Sequence, residues 1–223
     1  MRVLVFGKEK EQIIPLLQGL ELVQKDPEIV LCWGGDGTFL LAEHEYPGVP
    51  KLLVRHSKTC KKCNNLTIEE VVPRLQKEFA TIEQMKLQAT IAGTDLPPAL
   101  NDVVIRNTNQ SHAIRFAVEV NGEIIAKEQI GDGVVVSTPF GSTAYFKSIT
   151  RETFENGIGI AFNNTVEEHD PLITDEESEI VFVVERGEGT VTVDTLDQPW
   201  PISQGDRVTI RKAAAVARIV TLE

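Results

Sequence analysis

Basic residues are scarce in this chain: 22 Lys and Arg stand against 33 Asp and Glu, a formal net charge of −11 over 223 residues. So acidic a surface argues against broad, sequence-independent binding to nucleic acid or an anionic membrane, and any phosphate ligand has to be met locally. Cysteine is nearly absent too. Three in this length, an odd number, form no disulfide framework and read as reduced thiols of a cytoplasmic protein. No apolar run is long enough to span a bilayer, and residues 1 to 8 read as a short strand rather than a signal peptide. Internal repeats and low-complexity tracts are also missing. What remains is a chain long enough to bury a substantial core without staples.

The first third alternates strand and helix signals. Apolar runs fall at 3 to 6, 29 to 33 and 52 to 54, with helical spacing at Ile13, Leu16, Leu17 and Leu20 and again at Ile68, Val71, Val72, Leu75 and Phe79, the latter interrupted by Pro73. A short helix after residue 37 should stop near Tyr46, because Pro47 disfavours helical geometry in the residue before it. From about residue 86 the period becomes two, clearest at Ile114, Phe116, Val118 and Val120. Asn121-Gly122 then supplies a type I′ turn, so 113 to 130 reads as a hairpin. Further strands are expected at 133 to 137, 179 to 185, 190 to 194, 207 to 211 and 216 to 222, and a loop at 93 to 98. The expected fold is α/β: a Rossmann-like α/β domain with a parallel sheet over residues 1–85, then a mainly antiparallel β-sandwich domain over 86–223.

Residues 33 to 40 read Trp-Gly-Gly-Asp-Gly-Thr-Phe-Leu, directly after the apolar strand. Gly34, Gly35 and Gly37 let the backbone turn sharply and approach a ligand, and the amides opening the next helix can point at an anion. Asp36 is the odd member. A carboxylate among phosphate-binding amides would be repelled by the ligand unless it holds a metal, orients a hydroxyl or removes a proton, which points to phosphoryl transfer rather than passive binding. Read alone, the segment is equally a tight turn between strand and helix.

Two further segments bear on that choice: Asn101-Asp102 before an apolar strand, and residues 131 to 145, Gly-Asp-Gly-Val-Val-Val-Ser-Thr-Pro-Phe-Gly-Ser-Thr-Ala-Tyr. In this order and composition the three motifs resemble the NAD kinase family. The resemblance implies phosphorylation of the 2′-hydroxyl on the adenosine ribose of NAD, with ATP or polyphosphate as donor and a divalent metal, most simply Mg²⁺. Asp36 would be the general base, and Gly34, Gly35, Gly37 and Thr38 would hold the donor phosphates. The Asn101 amide would read the adenine edge and the Asp102 carboxylate would accept from ribose hydroxyls. Asp132, Thr143, Ala144 and Tyr145 match positions that contact the dinucleotide, Asp132 in part from a neighbouring subunit, which implies a homodimer or homotetramer. Asp194 falls where the family has a Val-Asp-Gly-Gln turn near the phosphates. Ser137, Thr138 and Ser142 read equally as turn residues bonding their own backbone.

The chain departs from the family at five places, the first being Thr195, which follows Asp194 where the family has Gly. Asp102 is one methylene shorter than the usual Glu, and Phe140 stands where Ser or Thr is usual. Ile149-Thr150-Arg151 replaces small glycines. Residues 55 to 63, Arg-His-Ser-Lys-Thr-Cys-Lys-Lys-Cys, replace a Gly-rich loop, so Arg55, Lys58, Lys61 and Lys62 form a candidate phosphate clamp at the carboxyl end of a strand. His56, Cys60 and Cys63 are soft ligands at zinc-like spacing but lack an evident fourth. Competing readings are a lipid kinase of the diacylglycerol or sphingosine type, which shares the glycine-Asp loop but not the third motif, and a descendant that binds NAD(P) without turnover.

Overall fold

The computed structural model describes residues 1–56, 62, 66–77 and 79–222. In chain order the elements are β1 (Arg2–Phe6), β2 (Glu21–Leu22), β3 (Ile29–Gly34), α1 (Asp36–Glu45), β4 (Lys51–Arg55), α2 (Ile68–Leu75), β5 (Ala80–Ile91), β6 (Thr94–Asp95), β7 (Asp102–Asn107), β8 (Ile114–Val120), β9 (Glu123–Gly131), β10 (Gly133–Ser137), α3 (Tyr145–Thr150), β11 (Ile158–Asn163), β12 (Leu172–Thr174), β13 (Ile180–Arg186), β14 (Glu188–Val193), β15 (Trp200–Ser203) and β16 (Arg207–Thr221). They form two compact units, Met1–Gln84 with Val216–Glu223, and Met85–Ala215.

In the first unit β2, β1, β3 and β4 pair side by side, all parallel, and the end of β16 adds beside β4 through Ile219 and Lys51. The strands read as near-continuous apolar runs because parallel strands are covered on both faces. Ile29, Leu31, Leu52 and Val54 meet Ile13, Leu17 and the α2 face of Ile68, Val71 and Leu75 in one buried cluster. Helix α1 ends with Tyr46 as its cap, ahead of Pro47. Helix α2 carries Pro73 inside and ends at Leu75, leaving Phe79 outside the helix but packed on the core.

The helical spacing at Ile13 to Leu20 does not produce an α-helix. Two short 3₁₀ turns form instead, Lys10–Gln12 and Ile14–Leu16, because Pro15 removes a backbone donor and Gly19 takes a left-handed φ of 88°. Ile13 and Leu17 are still buried, whereas Leu16 faces solvent.

The second unit is two antiparallel layers. One is a six-stranded sheet in the order β12-β11-β10-β7-β14-β15; the other runs from β16 through β13 and β8 to β9. Alternate residues of both layers, among them Val103, Ile105, Val134, Val136 and Val191 on one and Phe116, Val118, Phe182 and Ile210 on the other, form a single buried core. Phe116 stacks on Phe182 at 4.8 Å between ring centroids. On the outer face of the six-stranded sheet, α3 packs Phe146 against Val104, Val135 and Ala161. Asn121 and Gly122 both take positive φ, 52° and 82°, as a type I′ turn between β8 and β9 requires. Ala92 and Gly93 repeat that geometry, so 93 to 98 is not an open loop: Thr94 pairs with Ile91 and Leu96 is buried.

The two strands expected at 207 to 211 and 216 to 222 are one, β16, with no break at Ala213 to Ala215. Its first part pairs with β13 in the second unit and its last part with β4 in the first. Residues from Val216 onward therefore group with the first unit, whereas a division at 85 puts them in the second. Val220, buried in the first unit's core, is the physical reason. Among the described residues no helix is long and apolar enough to cross a membrane.

Candidate active site

The carboxyl end of β3 delivers Trp33 and Gly34 into the turn, Gly35 caps α1, and Asp36 is the first residue of the helix. Thr38 and Phe39 both donate their backbone N–H to the Gly35 carbonyl, at 3.0 and 3.2 Å, which fixes the first turn. Gly34 is demanded by this packing, since a Cβ there would fall on the Thr38 side chain. Gly37 is different: a Cβ would meet nothing within 4 Å. The half-buried Asp36 accepts the Lys62 backbone N–H on Oδ1 at 3.1 Å, so the chain after β4 returns to the glycine turn. Lys58, Cys60, Lys61 and Cys63 lie outside the described residues, and with them most of the expected clamp and zinc ligands. No group of three or more His, Cys, Asp or Glu that could hold a metal occurs among the described residues.

A cavity of about 400 Å³ opens beside the turn, sharing Gly34 and Thr38 with it and lined further by Phe6, Lys8, Lys10, Trp33 and His56. Trp33 and His56 stack at 4.6 Å with 26° between planes. His56 Nε2 lies 2.6 Å from Glu9 Oε2, and Trp33 Nε1 is buried with no hydrogen-bond partner. Sequence reasoning missed Lys8, Lys10 and Trp33. The available signal was the charged run after β1, at the strand end where open α/β sheets bind ligands.

In the second unit Asn101 and Asp102 open β7, and their backbone is gripped from both sides. The Asp194 carboxylate accepts three backbone N–H groups: Leu100 on Oδ2 at 2.9 Å, and Asn101 and Asp102 on Oδ1 at 2.7 and 3.2 Å. From β10, the Thr138 N–H and the Ser137 hydroxyl donate to the Asn101 carbonyl at 2.9 and 3.2 Å, and Thr138 Oγ1 donates to the Leu100 carbonyl at 2.6 Å. Gly141 packs so closely that a Cβ would fall on the Asn101 carbonyl. Held this way, the Asn101 side-chain oxygen is buried without a partner. The Asp102 carboxyl is buried as well, and burial first, then the nearby Asp194, pushes its pKa up to about 7.

Asp132 sits at the corner between β9 and β10, between Gly131 and Gly133, where added Cβ atoms would strike Thr165 and the Ile105 carbonyl. Its carboxylate accepts from Asn107 Nδ2 at 3.2 Å and Asn164 Nδ2 at 3.3 Å. Thr143 closes a 3₁₀ turn, Ala144 is exposed, and Tyr145 starts α3 with its hydroxyl accepting from Asn163 Nδ2 at 3.1 Å. Ser142 donates to the Phe154 carbonyl at 3.1 Å. Of the expected acceptor set, Asn101, Asp102 and Asp194 are joined directly by hydrogen bonds, while Asp132 and Tyr145 are tied to the neighbouring residues Asn164 and Asn163.

The fold is one found in kinases of solved structure. An NAD kinase from Archaeoglobus fulgidus in complex with ATP superposes with a TM-score of 0.83, covering 100% of this chain and 94% of that one at 17% identity. Yeast NADH kinase complexed with NADH superposes with a TM-score of 0.84, covering 100% and 84% at 16% identity. Residues 100–222 match the ATP-NAD kinase C-terminal domain. In sequence, the chain is 30% identical to the NAD kinase of Aquifex aeolicus over 89% of its own length and 77% of that protein's. It is 37% identical to the NAD kinase of Natronomonas pharaonis over 53% of its own length and 47% of that protein's. The chain belongs to the NAD kinase family.

Proposed function

We propose that this protein transfers the terminal phosphoryl group of ATP to the 2′-hydroxyl of the adenosine ribose of NAD, giving NADP. The observation that carries the reading is Asp36, a carboxylate set at the start of α1 among glycines, one of which, Gly37, has no packing reason to lack a side chain. Gly34, Gly35, Gly37 and Thr38 bind the donor phosphates through amides and a hydroxyl, where the positive end of the helix favours an anion. Asp36 accepts the proton of the ribose hydroxyl as its oxygen bonds to the terminal phosphorus and the bond to the departing diphosphate breaks; the proton then passes to solvent. Such a base contributes about 10²–10⁴-fold. A Mg²⁺ fits this donor set, since that ion is commonly held by one carboxylate plus substrate phosphates, and when bound it would neutralise charge on those phosphates. The aromatic cavity with Lys8 and Lys10 supports a nucleotide donor over bare polyphosphate, as does the A. fulgidus relative's complex with ATP.

On the acceptor side, the unpartnered Asn101 amide oxygen suits an adenine amino group, with Asp102, Asp132, Thr143, Ala144 and Tyr145 around the dinucleotide. A homodimer or homotetramer in the cytoplasm completes the proposal, supported by the family resemblance and a composition suited to reduced thiols. Coupled assay of NADP formation together with equilibrium NAD binding tests it. Asp36→Asn should lower kcat by about 10²–10⁴-fold while NAD affinity changes little, because the amide keeps the shape but cannot take the proton. Equal losses in both would make Asp36 a binding residue. Wild-type protein that binds NAD but forms no NADP would make this a dinucleotide-binding protein instead.

A further inference from the structure

Three backbone N–H groups converge on the single carboxylate of Asp194 from residues 92 to 94 positions earlier in the chain. The contact is reciprocal, since the Asp194 N–H donates to the Asp102 carbonyl at 3.0 Å, and Asp194 itself holds a left-handed φ of 49°. A carboxylate offers about four lone-pair sites, so three charge-assisted bonds leave it little capacity for a ligand. The opposite side of the same segment is fastened by Ser137 and Thr138. Between these two grips sit the Asn101 amide and the Asp102 carboxyl.

We infer that Asp194 is a positioning residue: it fixes the backbone of Leu100 to Asp102, so aiming the Asn101 amide and the Asp102 carboxyl at the dinucleotide, and it places a carboxylate beside Asp102. This rests on the acceptor role proposed above for Asn101 and Asp102. Strand β7 is flanked by β10 and β14. From β10 Asp102 is paired with the neutral Ser137, and from the end of β14 the charged group facing it is Asp194. Burial first, and the Asp194 carboxylate second, push Asp102 up to a pKa of about 7. Protonated, it can donate to a ribose oxygen; ionised, it can only accept from a hydroxyl.

The test is NAD affinity measured across pH 5.5 to 8.5, with steady-state kinetics, for wild type, Asp194→Asn and Asp102→Asn. Asparagine keeps the size of Asp194 but removes its charge and turns an N–H toward one of the three donors. Loss of one such bond should raise the KM for NAD by roughly 10- to 100-fold, with kcat affected far less. The pH midpoint of NAD binding should also move down from its wild-type position, because the negative charge that raises Asp102 is gone. A role confined to holding the fold would lower stability and kcat but leave that midpoint in place, and this result overturns the inference. Should Asp194→Asn fail to fold, Asp102→Asn still decides: its NAD affinity should be flat across the range, and a midpoint persisting near neutrality in that variant sinks the idea. Wild-type protein that shows no saturable NAD binding would instead overturn the acceptor reading beneath it.

Discussion

Lys51 and Glu43 meet with both side chains fully shielded from water, and the Lys51 ammonium also donates to the Tyr46 carbonyl. The pair ties the last turn of α1 to the start of β4, at the end of these elements away from the glycine turn. Removing one partner strands the other charge in the core, so Glu43→Ala should cost about 3–5 kcal/mol in urea unfolding, whereas an apolar pair, Glu43→Leu with Lys51→Met, should cost clearly less. A double variant as unstable as the single one would mean that packing, not the stranded ammonium, dominates. Nearby Cys32 is fully buried, and burial holds its thiol well above the ordinary cysteine value, which makes it an inert core residue. The burial of Cys32 was legible from its place in the apolar run 29 to 33, but the ion pair was not. Nothing in the sequence pattern marks Glu43 and Lys51 as partners, since only the packing of helix α1 and strand β4 brings them together.

Elements whose boundaries depend on local turn chemistry were legible. The β8–β9 hairpin follows from Asn121-Gly122 and the end of α1 from Pro47, because in both the backbone is limited by the residues themselves. Elements that depend on distant partners were not. The continuity of β16 through Ala213 to Ala215 comes from pairing at both ends, and the apolar spacing at Ile13 to Leu20 was overridden by Pro15. The glycine turn showed itself, but the cavity beside it did not, since it is assembled from the ends of β1, β3 and β4. One departure from the family acquires a structural meaning here. Arg151 ends α3 at φ 67°, in the left-handed region where a helix favours glycine. Arg151→Gly should therefore raise stability by about 0.5–1 kcal/mol, read as a higher urea midpoint with unchanged slope. A drop would show that the arginine side chain contributes more than its backbone strain costs.

Across the whole molecule, stability should carry the signature of one buried carboxyl. Asp102 has a folded-state pKa of about 7, raised by burial and by Asp194, against about 3.9 in an unfolded chain. The folded state thus holds this proton more tightly than the unfolded state. Below about pH 4 both states are protonated and the group costs nothing. As pH rises from there to about 7 the unfolded chain ionises first, and stability falls progressively, by a total on the order of 4 kcal/mol for so large a shift. The lowered carboxyls of Glu28 and Glu70 act in the opposite sense, but both are exposed and present in every variant, so they cancel in a comparison. Asp102→Asn, a neutral replacement of nearly the same shape, removes the term. Its stability should match wild type near pH 5 more closely than at pH 8, where it should unfold at distinctly higher urea. Parallel curves for the two proteins between pH 5 and 8 would show that no proton is held at Asp102. The expected divergence would show that this site is kept at a cost to the fold, as a buried carboxyl awaiting a hydroxyl-bearing ligand would be. Saturating NAD should then narrow the gap at pH 8 to the extent that it binds folded wild type more tightly than folded Asp102→Asn, because a ligand stabilises each protein in proportion to its affinity.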